Sequence, residues 1–150
     1  MARSSPDEIR FTVPGEPQGK GRARVGTVAG KARMFTPAKT VAYEGVIALA
    51  AQEAMDGAEP YQGPVMVEVV MHCPIRPSWS KKKQTLALAG DIYPTSKPDA
   101  DNCLKAVCDA LNGIAWRDDT QATDIHIKKR FSLTPRVEVI LTPLAKAGSS

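Results

Sequence analysis

Residues 97–119, which read KPDADNCLKAVCDALNGIAWRDD, hold five aspartates in a chain whose net charge is +4. Asp99 and Asp101 precede a helical pattern, and Asp118 and Asp119 follow it. Carboxylates held close together repel one another, and a divalent cation relieves that repulsion. Oxygen-only ligands suit Mg²⁺, and Mn²⁺ is expected to substitute for it. The spacing therefore predicts a metal site with hydrolytic chemistry, provided that the fold brings the two pairs together.

The lengths of the two segments between the aspartate pairs are consistent with bringing the pairs together. A helix over residues 102–111 rises about 15 Å, and an extended segment over residues 114–119 covers about 17–20 Å. Asn112 and Gly113 lie between the two segments and are a typical helix stop. A chain that reverses at Gly113 and runs back along the helix would bring the second aspartate pair level with the first.

Each part of this segment also has an ordinary structural explanation. Asp101 could be the N-cap of the helix, and Asp118 and Asp119 could be turn residues before a strand. Lys105 lies one turn beyond Asp101, where it could hold a carboxylate or contact the scissile phosphate. Lys105 could equally form an exposed pair with Asp109, four residues later.

The rest of the sequence predicts the elements that would position these acids. Apolar residues alternate in EIRFTV, in PVMVEVVMHC and in two segments near the C-terminus, which predicts strands. A helix is expected from Thr36 as N-cap and Pro37 as first residue, with Gly45 marking close packing against a neighbour. Residues 74–98 are irregular apart from a short helix capped by Ser80.

This order of elements predicts an α+β fold, with a small mixed β-sheet packed against two main helices. We expect a single domain over residues 1–150, with disorder at about residues 1–7 and 144–150.

A basic segment complements the acidic one. It carries six Lys or Arg residues and no acid from position 20 to position 39: Lys20, Arg22, Arg24, Lys31, Arg33 and Lys39. Its alternating cations and the glycines of GTVAG predict a two-stranded ribbon or an extended loop. Together with Lys97, these residues are expected to bind the phosphates of a polyanionic partner such as DNA, although a solvated hairpin kept basic for solubility is the alternative.

Other features exclude whole classes of protein. The first thirty residues lack the apolar core of a signal peptide, and the longest apolar run, VIALAA, is too short to span a membrane. We therefore expect a cytoplasmic protein with no membrane partner.

Cys73, Cys103 and Cys108 lack zinc-site spacing and are expected to be reduced and buried. Trp79 and Trp116 are expected in the core or an interface rather than as platforms for base stacking.

The motif KPDADNCLKAVCDALNGIAWRDDTQ resembles the signature of the RusA family of crossover (Holliday) junction endodeoxyribonucleases. That signature has a P-D-x-D-N-x-x-K helix start, a D-A-L-x-G helix end and a following D-D-x-Q. The segments KGRAR, FTPAKTVAYE and WSKKK also match the family pattern, so the resemblance covers most of residues 8–142.

The resemblance implies that Asp99, Asp101 and Asp119 are the metal-binding catalytic carboxylates, with Asp118 as a second candidate, and that Lys105 is the essential lysine. It also implies a RusA-like homodimer that cuts four-way DNA junctions, typically on a phage or prophage recombination pathway, and needs no small-molecule cofactor. Two other functions remain open: a DNA-architectural protein that binds branched DNA without cutting it, and a flap or nonspecific metal-dependent nuclease.

Overall fold

The computed structural model describes residues 3–21, 24–28, 30–35 and 38–144. The strands in this part of the chain are β1 (Ile9–Pro14), β2 (Arg24–Val28), β3 (Lys31–Phe35), β4 (Val65–Pro74), β5 (Ala122–Ser132) and β6 (Arg136–Pro143). The α-helices are α1 (Ala38–Met55), α2 (Lys81–Leu88) and α3 (Ala100–Leu111), and a 3₁₀ turn covers Asp119–Gln121.

Four of the strands form one mixed sheet in the order β1-β6-β4-β5. β6 pairs antiparallel with both β1 and β4, whereas β4 and β5 are parallel. A parallel pair needs a crossover connection, and residues 75–121, which contain α2 and α3, provide it. The predicted α+β fold with a small mixed sheet is confirmed.

The core lies between the sheet and two of the helices. Alternate residues of β4 are buried from Val65 to Cys73, as the period of two predicts. Ile47 of α1 and Leu111 of α3 are fully buried in the same hydrophobic cluster. Burial of such a side chain contributes about 1.5–3 kcal/mol to folding, so this shared core fixes α1 and α3 relative to the sheet.

The structure corrects one expectation for α1. The helix is confirmed over Ala38–Met55, while its predicted cap residues Thr36 and Pro37 lie outside the described residues. Gly45 does not mark close packing, because nothing lies within 4 Å of the position that a Cβ atom would take. Val41 and Leu49, one turn to either side of Gly45, are both exposed, so α1 carries an uncovered apolar stripe.

The long connection after β4 contains the short helix that was predicted. Its N-cap is Ser80, whose hydroxyl accepts a hydrogen bond from the Lys83 amide at 3.2 Å. The basic ribbon is also confirmed, as the antiparallel pair β2–β3. Gly26 lies within β2 rather than in the turn that GTVAG predicted, and the chain reverses next to Gly30, whose φ is 79°.

Disorder had been expected for the N-terminal residues, but those that the structure describes are held against the connection between α1 and β4. The Arg3 guanidinium donates to the Asp56 carboxylate at 2.8 Å, and the Ser5 hydroxyl donates to the Glu59 carbonyl at 2.7 Å. In the part of the chain that the structure describes, no helix is both long and apolar enough to cross a membrane.

The cysteines are free and buried, as predicted. Burial raises the pKa of the Cys103 and Cys108 thiols to about 12, which makes both unreactive at neutral pH. Trp116 is in the core, as predicted, whereas Trp79 is only half-buried.

Candidate active site

Helix α3, which contains Asp101 and Asp109, has a strongly amphipathic sequence whose apolar face joins the core. It begins at Ala100, two residues earlier than predicted, and Asp99 occupies the N-cap position. The alternative that Asp101 is the N-cap is therefore wrong. The Asp99 side chain makes no capping hydrogen bond, and Asp101 is exposed in the first helical turn. Both carboxylates are near the positive end of the helix dipole, which stabilises their charge.

The predicted reversal at Gly113 is confirmed. Gly113 has a φ of 80°, and its amide donates to the Trp116 carbonyl at 2.7 Å. The indole Nε1 of Trp116 donates to Asn112 Oδ1 at 2.8 Å, which closes the turn from the other side. The Tyr61 amide donates to the Ala115 carbonyl at 2.7 Å and ties this turn to the chain just before β4.

The return along the helix is shorter than predicted. Residues 114–116 belong to the turn, so only residues 117–119 are left to run back. Asp119 consequently lies against Asp109, in the last turns of α3, and close to Lys105. Asp109 is two turns beyond Asp101, a rise of about 12 Å. Contrary to the expectation, Asp119 is therefore not level with Asp99 and Asp101.

The two consecutive aspartates have different environments. The Asp118 carboxylate accepts a hydrogen bond from the Thr120 amide at 3.2 Å. The pKa of Asp118 is lowered, first by a hydrogen bond from the Thr120 side chain and then by this bond from the Thr120 amide. The pKa of Asp119 is raised, first by burial, then by the negative charge of Asp118, and also by a hydrogen bond to Asp109. Lys105 opposes this rise. Asp118 thus caps the 3₁₀ turn, and Asp119 faces the helix.

Gln121 fixes this turn through both ends of its side chain. Its Nε2 donates to the carbonyls of Tyr61 and Gly63 at 2.8 and 2.9 Å. Its Oε1 accepts from the amides of Arg117 and Asp118 at 2.9 and 3.3 Å. The turn is therefore attached to the start of β4, and the position of Asp119 depends on a side chain to which sequence reasoning gave no role.

Lys20 has a different environment from the one predicted for a DNA-binding residue. Its Nζ lies 2.6 Å from Asp109 Oδ2 and 3.2 Å from Glu44 Oε2, and the Lys20 side chain is 23% exposed. The hydrogen bond to Asp109 is the main cause of the raised pKa of Lys20. This ammonium group is neutralised by two carboxylates of the protein, so it connects the β1–β2 segment with α1 and α3.

A cavity of about 740 Å³ opens beside the start of α3, and we call it the helix-end cavity. It is lined by residues 16–19 and 21 of the β1–β2 segment, by Lys39 and Thr40 of α1, and by residues 97–99 and 102. The Gly21 amide donates to Thr40 Oγ1 at 2.8 Å, and the Lys20 amide donates to the Asn102 carbonyl at 3.2 Å, so both helices hold the segment in place.

Two of the predicted phosphate-binding residues, Lys39 and Lys97, are exposed and line this cavity together with Asp99. Arg22 lies outside the described residues. The β2–β3 ladder pairs Arg24 with Phe35, Gly26 with Arg33 and Val28 with Lys31. These pairs are every second pair of the ladder, and all three basic positions of the ribbon belong to them.

The oxygen donors are suited to a hard cation. The raised pKa of Asp119 arises partly from two neighbouring carboxylates, Asp109 and Asp118, and a divalent cation would relieve that repulsion. Among the described residues, however, no group of three or more His, Cys, Asp or Glu side chains could hold a metal ion, so the expected three-carboxylate cluster is not assembled there. The catalytic and metal-binding roles of Asp99, Asp101 and Asp119 stay predictions.

Asp109 and Glu44 are the residues that sequence reasoning missed or undervalued. A signal for Asp109 was present, because Asp101, Lys105 and Asp109 are spaced four apart and share one face of α3. No local signal pointed to Glu44, which is 24 residues from its partner Lys20.

Comparison with known proteins identifies the family of this chain. The family model described as endodeoxyribonuclease RusA matches residues 14–142. The chain is also 41% identical, over 137 residues, to the uncharacterized protein YqaN of Bacillus subtilis (strain 168), and the match covers 90% of this chain and 96% of that protein. The acids, the lysines and the DDTQ turn described above all lie inside the matched range. The chain belongs to the RusA endodeoxyribonuclease family.

Proposed function

We propose that this protein is a Mg²⁺-dependent endonuclease that resolves four-way DNA junctions by paired, symmetric nicks. The observation that carries the proposal is the helix-end cavity, in which the carboxylate of Asp99 shares one space with the ammonium groups of Lys39 and Lys97. A phosphodiester hydrolase needs cations that bind a phosphate and acids that promote its cleavage, and this cavity offers both.

Phosphate binding is supported by the elements that line the cavity. The first turns of α1 and α3 both contribute to its wall, and helix N-termini favour anions through their unpaired amides and their dipoles. Lys39 and Lys97 add two positive charges. The basic positions of the ribbon would bind further phosphates of the same DNA, since contacts of this kind position the duplex without reading its sequence.

The acids would hold the metal. Mg²⁺ takes one or two protein carboxylates directly and keeps several waters, so Asp99, Asp101 and Asp119 can act partly through water. The bound metal would supply a water of lowered pKa and would offset negative charge on the phosphate. Asp118 is the weaker candidate, because its carboxylate already caps the 3₁₀ turn. Lys105 would orient Asp119, because its positive charge attracts the carboxylate and opposes the rise in the pKa of Asp119.

A homodimer fits this function, because an open four-way junction has two-fold symmetry and a dimer presents two sites related by the same operation. The exposed apolar stripe of α1, with Val41, Gly45 and Leu49, is a surface that a second copy could cover. Gly45 would allow two helices to approach closely. Sedimentation velocity of the native chain and of Leu49→Arg checks the assignment, since a monomeric native chain would contradict it.

The test is a nicking assay on a synthetic four-way junction with Mg²⁺ or Mn²⁺. Asp101→Asn should abolish cleavage and preserve or tighten junction binding, because it removes a negative charge that repels phosphate. Asp7→Asn is a matched control, since Asp7 is an exposed aspartate of the N-terminal segment. Loss of binding together with loss of cleavage in Asp101→Asn would instead indicate a structural role for this residue.

Two outcomes would select the other candidate functions. Absence of cleavage by the native protein in both metals, with retained junction binding, would indicate an architectural protein. Cleavage of linear duplex or flap DNA at the same rate as the junction would indicate a less selective nuclease. The proposal requires symmetric nicks in the junction while linear duplex and flap substrates stay intact.

A further inference from the structure

A second cavity, of about 350 Å³, lies between the end of β4, the connection after it and β5. We call it the aromatic cavity, because the side chains of Trp79, Tyr93 and Phe131 line it. Its volume is at the small end of the range for ligand sites and leaves room for one flat ring system. None of the residues assigned above to metal binding belongs to its wall.

The aromatic rings contact each other or a neighbouring cation. Trp79 and Phe131 meet edge to face, with ring centroids 5.1 Å apart and an interplanar angle of 76°. The Arg130 guanidinium lies 4.5 Å from the centre of the Tyr93 ring. Tyr93 is nevertheless 57% exposed, so most of a large aromatic side chain faces solvent at this cavity. An exposed ring held by a cation is suited to stacking on another flat ring.

The surroundings of the cavity are basic. Arg76, Lys83 and Lys97 contribute to its wall, and Lys83 Nζ lies 4.2 Å from the centre of the Trp79 ring. Arg76 donates to Ser96 Oγ at 3.3 Å, which places a hydroxyl and a guanidinium at the same rim. No acidic side chain is among the described residues that line this cavity. Its ligand should therefore combine an aromatic ring with negative charge.

Lys97 lines both cavities, so the aromatic cavity is directly beside the helix-end cavity. A nucleotide whose phosphate lies in the helix-end cavity could place a neighbouring base in the aromatic cavity. A paired base cannot enter, because its ring is stacked within the duplex. Unpaired bases at a branch point or a bulge enter at the lowest cost, because their pairing is already lost.

We propose that the aromatic cavity binds a single nucleobase that is unstacked from the DNA strand, with Tyr93 as the main stacking residue. The cavity selects branched DNA because only a disrupted duplex can supply such a base. This inference rests on the proposed function, and it adds a recognition site separate from the acids. It also revises the expectation for Trp79, which contributes to a base-binding wall rather than to the core.

The experiment measures DNA binding in the presence of EDTA, so that cleavage plays no part. Fluorescence anisotropy compares a perfectly paired duplex with the same duplex carrying one bulged thymidine. The native protein should bind the bulged duplex more tightly. Tyr93→Ala should weaken binding of the bulged duplex by about five- to a hundred-fold and leave binding of the paired duplex unchanged. Tyr93→Phe, which keeps the ring, should bind both as the native protein does.

Two further measurements separate the cavity from general effects. Leu133→Ala removes a side chain that is 77% exposed and lies outside the cavity, and it should change neither affinity. Tryptophan fluorescence reports on the cavity itself, because Trp116 is fully buried and Trp79 is therefore the tryptophan that a base can reach. The bulged duplex should quench this fluorescence in the native protein, and the quenching should be lost in Trp79→Phe.

The inference is overturned if the native protein binds both duplexes equally, or if Tyr93→Ala weakens both to the same extent. These results would leave the proposed endonuclease function intact. A native protein that binds neither duplex and no junction would overturn the proposed function as well.

Discussion

Replacement of Lys20 by glutamine should destabilise the fold, although Lys20 belongs to a segment that the sequence assigns to DNA binding. The substitution keeps a polar side chain of similar length and removes the positive charge. Asp109 and Glu44 then face each other without the cation that lies 2.6 and 3.2 Å from their oxygens. The β1–β2 segment loses its ionic attachment to α1 and α3.

The expected loss follows from these distances. At an effective dielectric constant near 20, each contact is worth about 5–6 kcal/mol of Coulomb attraction, most of which desolvation of the three groups offsets. A hydrogen bond to a charged group contributes about 1.5–3 kcal/mol net. Because the three side chains are 21–23% exposed, solvent screens part of this attraction, and we expect Lys20→Gln to lower the free energy of unfolding by about 2–3 kcal/mol.

Urea denaturation followed by circular dichroism measures this loss, which should lower the transition midpoint by about 1–2 M for a typical denaturant dependence. Lys39→Gln is the control, because Lys39 is exposed and belongs to the same basic segment. In a Glu44→Gln background, the effect of Lys20→Gln should be smaller, because one of the two carboxylates is already neutral. Equal, small losses for Lys20→Gln and Lys39→Gln would refute the assignment of Lys20 as an internal cation.

The pH dependence provides an independent check on the same ion pairs. The folded state raises the pKa of Lys20 above its ordinary value of 10.5, chiefly through the hydrogen bond to Asp109. A raised lysine pKa stabilises the fold fully below the unfolded pKa and ceases to do so as the pH rises through the folded pKa. The stability difference between the native chain and Lys20→Gln should therefore stay constant from pH 7 to 9 and shrink above about pH 10.5.

Two other predictions concern the turn and the basic segment. Gln121→Ala removes bonds to two carbonyls and two amides and should lower the free energy of unfolding by about 1–3 kcal/mol, measured by urea denaturation. It should also slow junction nicking, since Asp119 loses its support, and wild-type nicking in this variant would contradict the positioning role. Replacing Arg22 and Arg24 with alanine should weaken junction binding and reduce the slope of log affinity against log salt by about 2. An unchanged slope would remove this segment from the DNA contact.

Much of the acidic segment could be predicted from local sequence. Asn112 and Gly113 indicate a helix stop, and the reversal occurs there because glycine adopts the positive φ that the turn requires. The length of the turn was not predictable in this way. It depends on the burial of Trp116 in the core and on the hydrogen bond from the Tyr61 amide, which is more than fifty residues away in the chain. These tertiary contacts place Asp119 beside Asp109 and Lys105 rather than level with Asp99 and Asp101.

The ion pairs of the basic segment likewise depend on contacts that are distant in the chain and could not be predicted from local sequence. Composition predicted six cations with a common role, and the period of two predicted the ribbon that contains three of them. The pairing of Lys20 with Asp109 spans 89 residues, so no local pattern distinguishes Lys20 from Lys39. Only the packing of α1 against α3 brings Glu44 and Asp109 to the same ammonium group.

These pairings explain how a basic protein can maintain an acidic centre. Lys20 neutralises Asp109, and Lys105 partly compensates Asp119, so the fold tolerates these acids without DNA. Asp99 lines an open cavity with Lys39 and Lys97, which are exposed and can exchange solvent for phosphate. Because Lys97 also borders the aromatic cavity, this one lysine would contact both the phosphate and the unstacked base. Lys97→Ala should then weaken binding of the bulged duplex more than binding of the paired duplex, whereas Lys39→Ala should weaken both equally.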